Sequence, residues 1–395
     1  MANTLSTLWG LDPNVTFLNH GSFGATPLAV LRHQMELRQR LEAEPVRFMM
    51  REMEPLYQES LATLAFLIGA QSQDLVFVPN VTHGVNAVMR SLPLQPGDEI
   101  LTTNQDYYAV RNTLELVARR SGARVVVADI PFPLTDESQV VQAIKDKISP
   151  ATRIALIDHV TSPTALIFPV EKIVQVFTER GIDTLIDGAH APGMVPLAVE
   201  SLGAAYYTGN CHKWLCAPKG AGFLWVRRDK QELIHAPISS YTRSSPYRLS
   251  PFQLEFYWSG TLDPTAYLSV GYAIQYMASL LEQGWPAIMQ RNRDLIIKAR
   301  QSYCRILGQP APCPEHMLGS MASVPLPAHN VSLPLPAFYI DELQEKLIAQ
   351  FGVQVPVMMW PRPPHRLLRF SAQLYNTLAQ YELLTEAITK LAYAA

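Results

Sequence analysis

Apolar side chains recur at helical spacing from residue 27 to 44, where Leu28, Leu31, Met35 and Leu41 share one side and Arg, Gln and Glu fill the other. That pattern predicts an amphipathic helix, interrupted at 45–48 by Pro45. A second helical pattern covers 56–68 and stops at Gly69. The rhythm then changes. Residues 76–78, 99–103, 124–129, 153–162, 184–186, 204–208 and 220–226 are short apolar or β-branched runs, several without alternation. Such runs suit strands covered on both faces. Helical spacers at 80–89, 140–148 and 170–180 separate them. Strands alternating with helices predict an α/β fold with a mainly parallel sheet. A polar and aromatic excursion, 235–258, follows. Beyond it, helices are expected at 265–281, 285–307, 340–351 and 381–394, with strands at 317–325, 330–335 and 353–359. Many of the 31 prolines fall after Pro310, which predicts a turn-rich end region.

Composition narrows the class. With 48% apolar residues among 395, the chain can bury a large core, and two domains fit its length. The net charge of −2, without a basic face or tail, argues against nucleic acid as a partner. The apolar stretch 61–70 is too short to span a bilayer. Residues 1–4 lack the basic start of a signal peptide. Four cysteines without CxxC spacing argue against a metal site or a disulfide framework. A cytoplasmic protein with no membrane partner is therefore expected.

The candidate chemistry centres on 183–213. An apolar strand ends in Asp187-Gly-Ala-His190, and the next strand leads to His212-Lys213. In an open α/β sheet, ligands bind at the carboxyl edge of the strands, where this carboxylate and this lysine would meet. A desolvated lysine can lose its proton and form a Schiff base. An aspartate facing a pyridinium nitrogen would complete a site for pyridoxal 5'-phosphate. An aspartate after a strand is also a common helix N-cap, and a His-Lys pair in a loop is commonly solvated, so neither residue is decisive alone.

Together, in this order, they resemble the class V aminotransferase family of fold-type I enzymes. Further segments extend the resemblance over nearly the whole chain. Phe17-Leu-Asn-His-Gly-Ser-Phe-Gly24 is similar to the N-terminal segment of isopenicillin-N-epimerase-like members. Trp258-Ser-Gly-Thr-Leu-Asp-Pro264 resembles the family's Gly-Thr motif, and 367–376 its Arg-x-Ser-x-x-x-Tyr-Asn segment. The resemblance implies the fold-type I architecture: a large domain, 17–264, with a mainly parallel seven-stranded sheet between helices, and a small α+β C-terminal domain, 265–395 with 1–16.

It also implies roles. Lys213, Asp187 and His190 are the expected catalytic residues, and pyridoxal 5'-phosphate is the expected cofactor. Thr82 and His83, at a helix start with Thr82 as its N-cap, take the phosphate, as a helix N-terminus can. Thr208 or Asn210 is placed to reach it too. Tyr107 stacks on the ring, and Ser162 falls where relatives carry Asn near the phenolic oxygen. His212 lies close to the ring. Thr261 reaches the phosphate of a partner subunit, which implies a homodimer with shared active sites. Arg369 binds the α-carboxylate of an amino-acid substrate, with Asn19 and His20 on the substrate side. No metal is expected. Epimerisation or racemisation at the α-carbon is the first expectation, with His20 or Tyr241 as candidates for the second acid. C–S lysis and transamination on the same scaffold are the alternatives, and a non-catalytic binding protein a remote one. Residues 354–368 contain no cysteine, which argues against a persulfide-forming desulfurase.

Overall fold

A computed structural model describes residues 4–240, 249–331, 333, 335 and 339–393. Seven strands form the central sheet. In spatial order they are Leu75–Val78, Gly222–Val226, Tyr206–Asn210, Asp183–Gly188, Thr152–Asp158, Glu99–Thr103 and Arg124–Ala128. Only Gly222–Val226 runs against its neighbours; the other pairings are parallel. The α/β fold with a mainly parallel seven-stranded sheet is therefore as expected.

Successive residues of each strand feed different cores, because their side chains leave opposite faces. Ile154, Leu156 and Leu185 pack with Val85, Val88 and Leu114 from the helices Val81–Ser91 and Tyr108–Ser121. Ala155, Ile157 and Ile186 join Leu61, Leu64, Ile173 and Phe177 on the other face. Burial on both faces is why these strands read as apolar runs. A three-stranded antiparallel sheet, Val357–Met359, Arg366–Ser371 and Met321–Leu326, lies in the C-terminal part. Thr16–Phe17 pairs in parallel with Val353–Gln354, tying the start of the chain to that region.

Several boundaries differ from expectation for identifiable reasons. The chain is helical from Pro45 to Ile68, not only from 56. Pro45 ends the preceding helix, yet it occupies the first turn of the next, where its missing N–H costs nothing. The stretch Phe48–Glu52 is π-helical, which absorbs an extra residue without breaking the axis. The expected strand 353–359 is two short pieces with Val355-Pro356 between them, since proline cannot donate to a ladder. The strand leading to Lys213 runs to Asn210 rather than stopping at Thr208, and Gly209 and Asn210 pair with Phe223 and Gly222. The excursion 235–258 closes with the helix Pro251–Tyr257, held by a capping box of Ser250 and Gln253. The strand expected at 330–335 lies partly outside the described residues, and none of its described residues is in a strand. Among the described residues, no helix is long and apolar enough to cross a membrane.

Candidate active site

Asp187 and Asp158 are register partners at the carboxyl ends of adjacent parallel strands, and Thr208 partners Asp187 on the other side. Asp187 is buried, and its Oδ1 accepts the Ala189 N–H at 2.9 Å. Burial pushes its carboxyl up to about 6, against the pull of the Ala189 N–H and the Lys213 charge. Asp158 is also held well above the usual carboxylate range, first by burial and then by the charges of Asp187 and Asp106. Asp106 is itself paired with Arg111 at 2.8 Å.

The turn after Asp187 delivers His190, and the segment after Asn210 delivers Lys213. The Lys213 Nζ lies 3.1 Å from His190 Nε2. Burial, reinforced by the positive charge of Arg369, lowers the lysine to about 7, while Asp187 opposes the shift. On its far side, His190 Nδ1 accepts the indole N–H of Trp214 at 3.4 Å. The lysine backbone is fixed as well. His20 Nε2 donates to the Lys213 carbonyl at 3.0 Å, so His20 Nδ1 accepts from the Tyr375 hydroxyl, 2.8 Å away. Burial lowers His20 to about 3, which keeps it neutral. Both of its nitrogens are therefore spent beneath the lysine, and neither is left for a substrate.

Arg369, on the strand Arg366–Ser371, is only 4% exposed. Its Nη1 donates to the Ser162 carbonyl at 2.7 Å and the Ser162 hydroxyl at 3.0 Å, and its Nη2 to the Ser22 hydroxyl at 3.0 Å. Ser22 in turn donates to Asn19 Oδ1 at 2.6 Å. Among the described residues it forms no ion pair. Burial lowers its pKa to about 10, with Tyr107 acting in the other direction. A buried guanidinium surrounded by neutral oxygens is costly unless an anion joins it.

The start of the helix Val81–Ser91 supplies the third component. Asn80, not Thr82, is its N-cap, with Oδ1 accepting the His83 N–H at 3.0 Å. The Val81 N–H is taken by Asn210 Oδ1 at 3.0 Å. The Thr82 N–H and hydroxyl have no hydrogen-bond partner among the described residues. The helix start is pressed onto the sheet, since a Cβ at Gly84 would overlap the Thr208 hydroxyl. That hydroxyl donates to the Phe223 carbonyl at 2.7 Å. The Thr208 hydroxyl and the Asn210 side-chain oxygen thus help seat the helix start on the sheet.

The remaining candidates are placed as follows. His83 is half-buried and lines a cavity of about 50 Å³ with Phe77, Phe256, Trp258 and Leu262. Tyr107 is half exposed, just before the helix Tyr108–Ser121. His212 Nδ1 is 3.1 Å from the Ala221 carbonyl, and burial lowers it to about 4. Thr261 is exposed. Tyr241 lies outside the described residues. Sequence reasoning did not single out Ser22, Trp214 or Asp158. Ser22 sits within the glycine-containing N-terminal segment and Trp214 directly follows the lysine, so both carried a local signal.

The aminotransferase class-V family model matches residues 18–384. The chain belongs to that family. It is 34% identical over 96% of its length to the isopenicillin N epimerase of Amycolatopsis lactamdurans, covering 96% of that protein. It is 28% identical over 96% of its length to a probable chloroplastic L-cysteine desulfhydrase of Arabidopsis thaliana, covering 83% of it. Its fold is similar to the apo cysteine desulfurase of Thermococcus onnurineus NA1, with a TM-score of 0.79, 19% identity and full coverage of both chains.

Class V aminotransferases work with pyridoxal 5'-phosphate, and this chain is an enzyme with that cofactor. The residues present fit it. A buried lysine near neutrality, a buried carboxylate in the adjoining strand and a helix start with an unpartnered N–H surround one edge of the sheet. Gly24 holds that arrangement in register. It adopts φ 70°, and a Cβ there would overlap the His212 carbonyl oxygen. Gly24→Ala is expected to displace the lysine loop and weaken cofactor retention about tenfold, equivalent to about 1.4 kcal/mol. Titration of the cofactor-free protein with pyridoxal phosphate, alongside circular dichroism to establish folding, measures this.

Proposed function

We propose that this class V aminotransferase removes the α-proton of a free amino acid and returns it to the opposite face, acting as an epimerase or racemase. The observation that carries the reading is the pairing of a buried lysine near neutrality with a buried arginine that has no acidic partner among the described residues. The lysine suits a general base. The arginine suits a substrate carboxylate, which it can grip with a planar fork. Pyridoxal phosphate supplies the electron sink when bound. Lys213 would attach it, and its amine would serve as the base for the α-proton. Asp187 would hold the ring nitrogen, and Tyr107 would lie against the ring. The Thr82 N–H and hydroxyl, which have no partner among the described residues, would hold the phosphate, with His83 adjoining them. Ser22, Asn19 and Ser162 orient the guanidinium.

The greater identity to an epimerase than to the desulfhydrase over the same share of the chain favours epimerisation. All four cysteines are buried and unpaired. No exposed thiol is available to carry a persulfide, which weighs against desulfurase chemistry and suits a cytoplasmic protein. C–S lysis is the second reading, favoured by the full-length similarity to a desulfhydrase. His20 is not the second acid, because its ring is committed under the lysine. The protein is further proposed to act as a homodimer, with the exposed Thr261 of each copy completing the other's phosphate site.

Incubation with pyridoxal phosphate and a panel of L-amino acids in D2O tests the reaction. Deuterium at the α-carbon together with the D-isomer is expected; pyruvate with released sulfur species would replace the epimerase by a lyase. Lys213→Ala is expected to abolish turnover, and full residual activity would remove the lysine from its role. Arg369→Ala is expected to weaken substrate binding by about 2–5 kcal/mol, the usual loss when a buried charge partner is removed. Steady-state KM measurements report it, and an unchanged value would show that the carboxylate is held elsewhere.

A further inference from the structure

We infer that Trp214 is a positioning residue that sets the tautomer of His190 and through it holds Lys213 as a neutral amine. The inference rests on the reading of Lys213 as the residue that attaches the cofactor. It stands on two hydrogen bonds that share the His190 ring. An indole N–H can only donate. Because Trp214 Nε1 lies 3.4 Å from His190 Nδ1, that ring nitrogen carries a lone pair. The imidazole is 2% exposed, and burial, with the positive charge of Arg369 adding to it, keeps the ring neutral. Its single proton is therefore on Nε2, which faces the Lys213 Nζ at 3.1 Å. A donor on Nε2 needs an acceptor. An ammonium has three donors and no lone pair, whereas a free amine has one lone pair. The chain from Trp214 to His190 to Lys213 closes only with the free amine.

The other groups facing the lysine divide. Asp187, from the neighbouring strand, favours the ammonium, and Arg369, from the C-terminal sheet, opposes it. His212, on the same loop, and His20, beneath the backbone, are both neutral by burial. Asp187 alone would draw a proton onto Lys213, and the fixed His190 donor counters that pull at hydrogen-bond range. If the indole N–H were removed, the His190 proton could move to Nδ1. Nε2 would then accept from an ammonium, and the charged lysine would gain a partner.

The test is the pH dependence of cofactor capture by the full chain stripped of pyridoxal phosphate. In capture the amine lone pair bonds to the aldehyde carbon and one water leaves, so only unprotonated Lys213 reacts. Absorbance gives the rate, and reduction followed by peptide mass analysis gives the site. The wild-type rate is expected to rise with pH around a midpoint near 7, the value to which burial lowers Lys213. Trp214→Phe should move that midpoint up by about one unit, making capture about fivefold slower at pH 7 and about tenfold slower well below it. The benzothiophene analogue of tryptophan keeps the shape and lacks the N–H. Placed at 214, it should give the same shift even if the smaller phenyl ring loosens the core. In a His190→Gln background the shift should vanish, because an amide carries donor and acceptor on separate atoms and needs no indole to choose between them. An unmoved midpoint in the benzothiophene variant would overturn the inference. So would an equal shift in the His190→Gln background, since that would mark a packing effect. Wild-type protein that captures the cofactor at a residue other than Lys213 would instead overturn the reading of the site, and this inference with it.

Discussion

Lys213 and Asp187, at the carboxyl edge of the central sheet, and Arg369, from the C-terminal sheet, are buried and feel one another's charge, and the rest of the structure is arranged around the cost of keeping them there. Transferring an ion from water to a protein interior costs several kcal/mol even after relaxation. The molecule meets that cost by neutralisation and by borrowed dipoles rather than by close ion pairs. Lys213 is brought near neutrality, and Asp187 is raised until its charge is conditional. Arg369 cannot discharge, so it is wrapped by two oxygens of Ser162 and one of Ser22. Such a site is poised for an anion and for a cation-bearing ring, because each would relieve a charge that the protein leaves uncompensated. A cysteine or an aliphatic core at the same edge would have been cheaper and would bind neither.

The fold was largely legible, because the strands of a sheet covered on both faces leave uninterrupted apolar runs in the sequence. The chemistry at the strand ends was legible for a similar reason: Asp187 and Lys213 each stand where a run stops. What could not be read was the division of labour among neighbours. Thr208 looked as available as Thr82, since both are threonines at element ends. Only the tertiary contacts show the Thr208 hydroxyl donating to the Phe223 carbonyl and the Asn210 amide oxygen accepting the Val81 N–H. His20 reads as a polar group beside two glycines, yet its partners are 193 and 355 residues away. No local pattern encodes a contact of that separation.

Those distant contacts explain why two segments at opposite ends of the chain belong together. The Ser371 hydroxyl donates to the Leu18 carbonyl, the Asn376 amide to the Phe17 carbonyl, and Tyr375 meets His20. The stretch around Arg369 therefore straps down the stretch around His20, and His20 grips the Lys213 backbone. An arginine proposed to receive substrate and a lysine proposed to act on it are linked through one hydrogen-bonded bracket. This makes the serine, tyrosine and asparagine that follow Arg369 supports for the lysine loop, not contacts for a ligand.

The same bracket bears on which bond is broken. The cofactor offers an electron sink to any bond on the α-carbon, and the protein selects by what it holds still. Here the elements held still are the proposed base, Lys213, and the proposed carboxylate anchor, Arg369. Both act at the α-carbon, and neither says anything about a leaving group at the β-carbon. C–S lysis would need a further group to protonate or receive the departing sulfur. The four thiols that might trade with it are buried, and burial pushes each of them up, away from the reactive thiolate. In the proposed reading Lys213 and Arg369 both address the Cα–H bond, the bond whose proton an epimerase moves. For the proposed epimerisation the donor on the opposite face is a group other than His20, since both of that ring's nitrogens are taken, by Tyr375 and the Lys213 carbonyl.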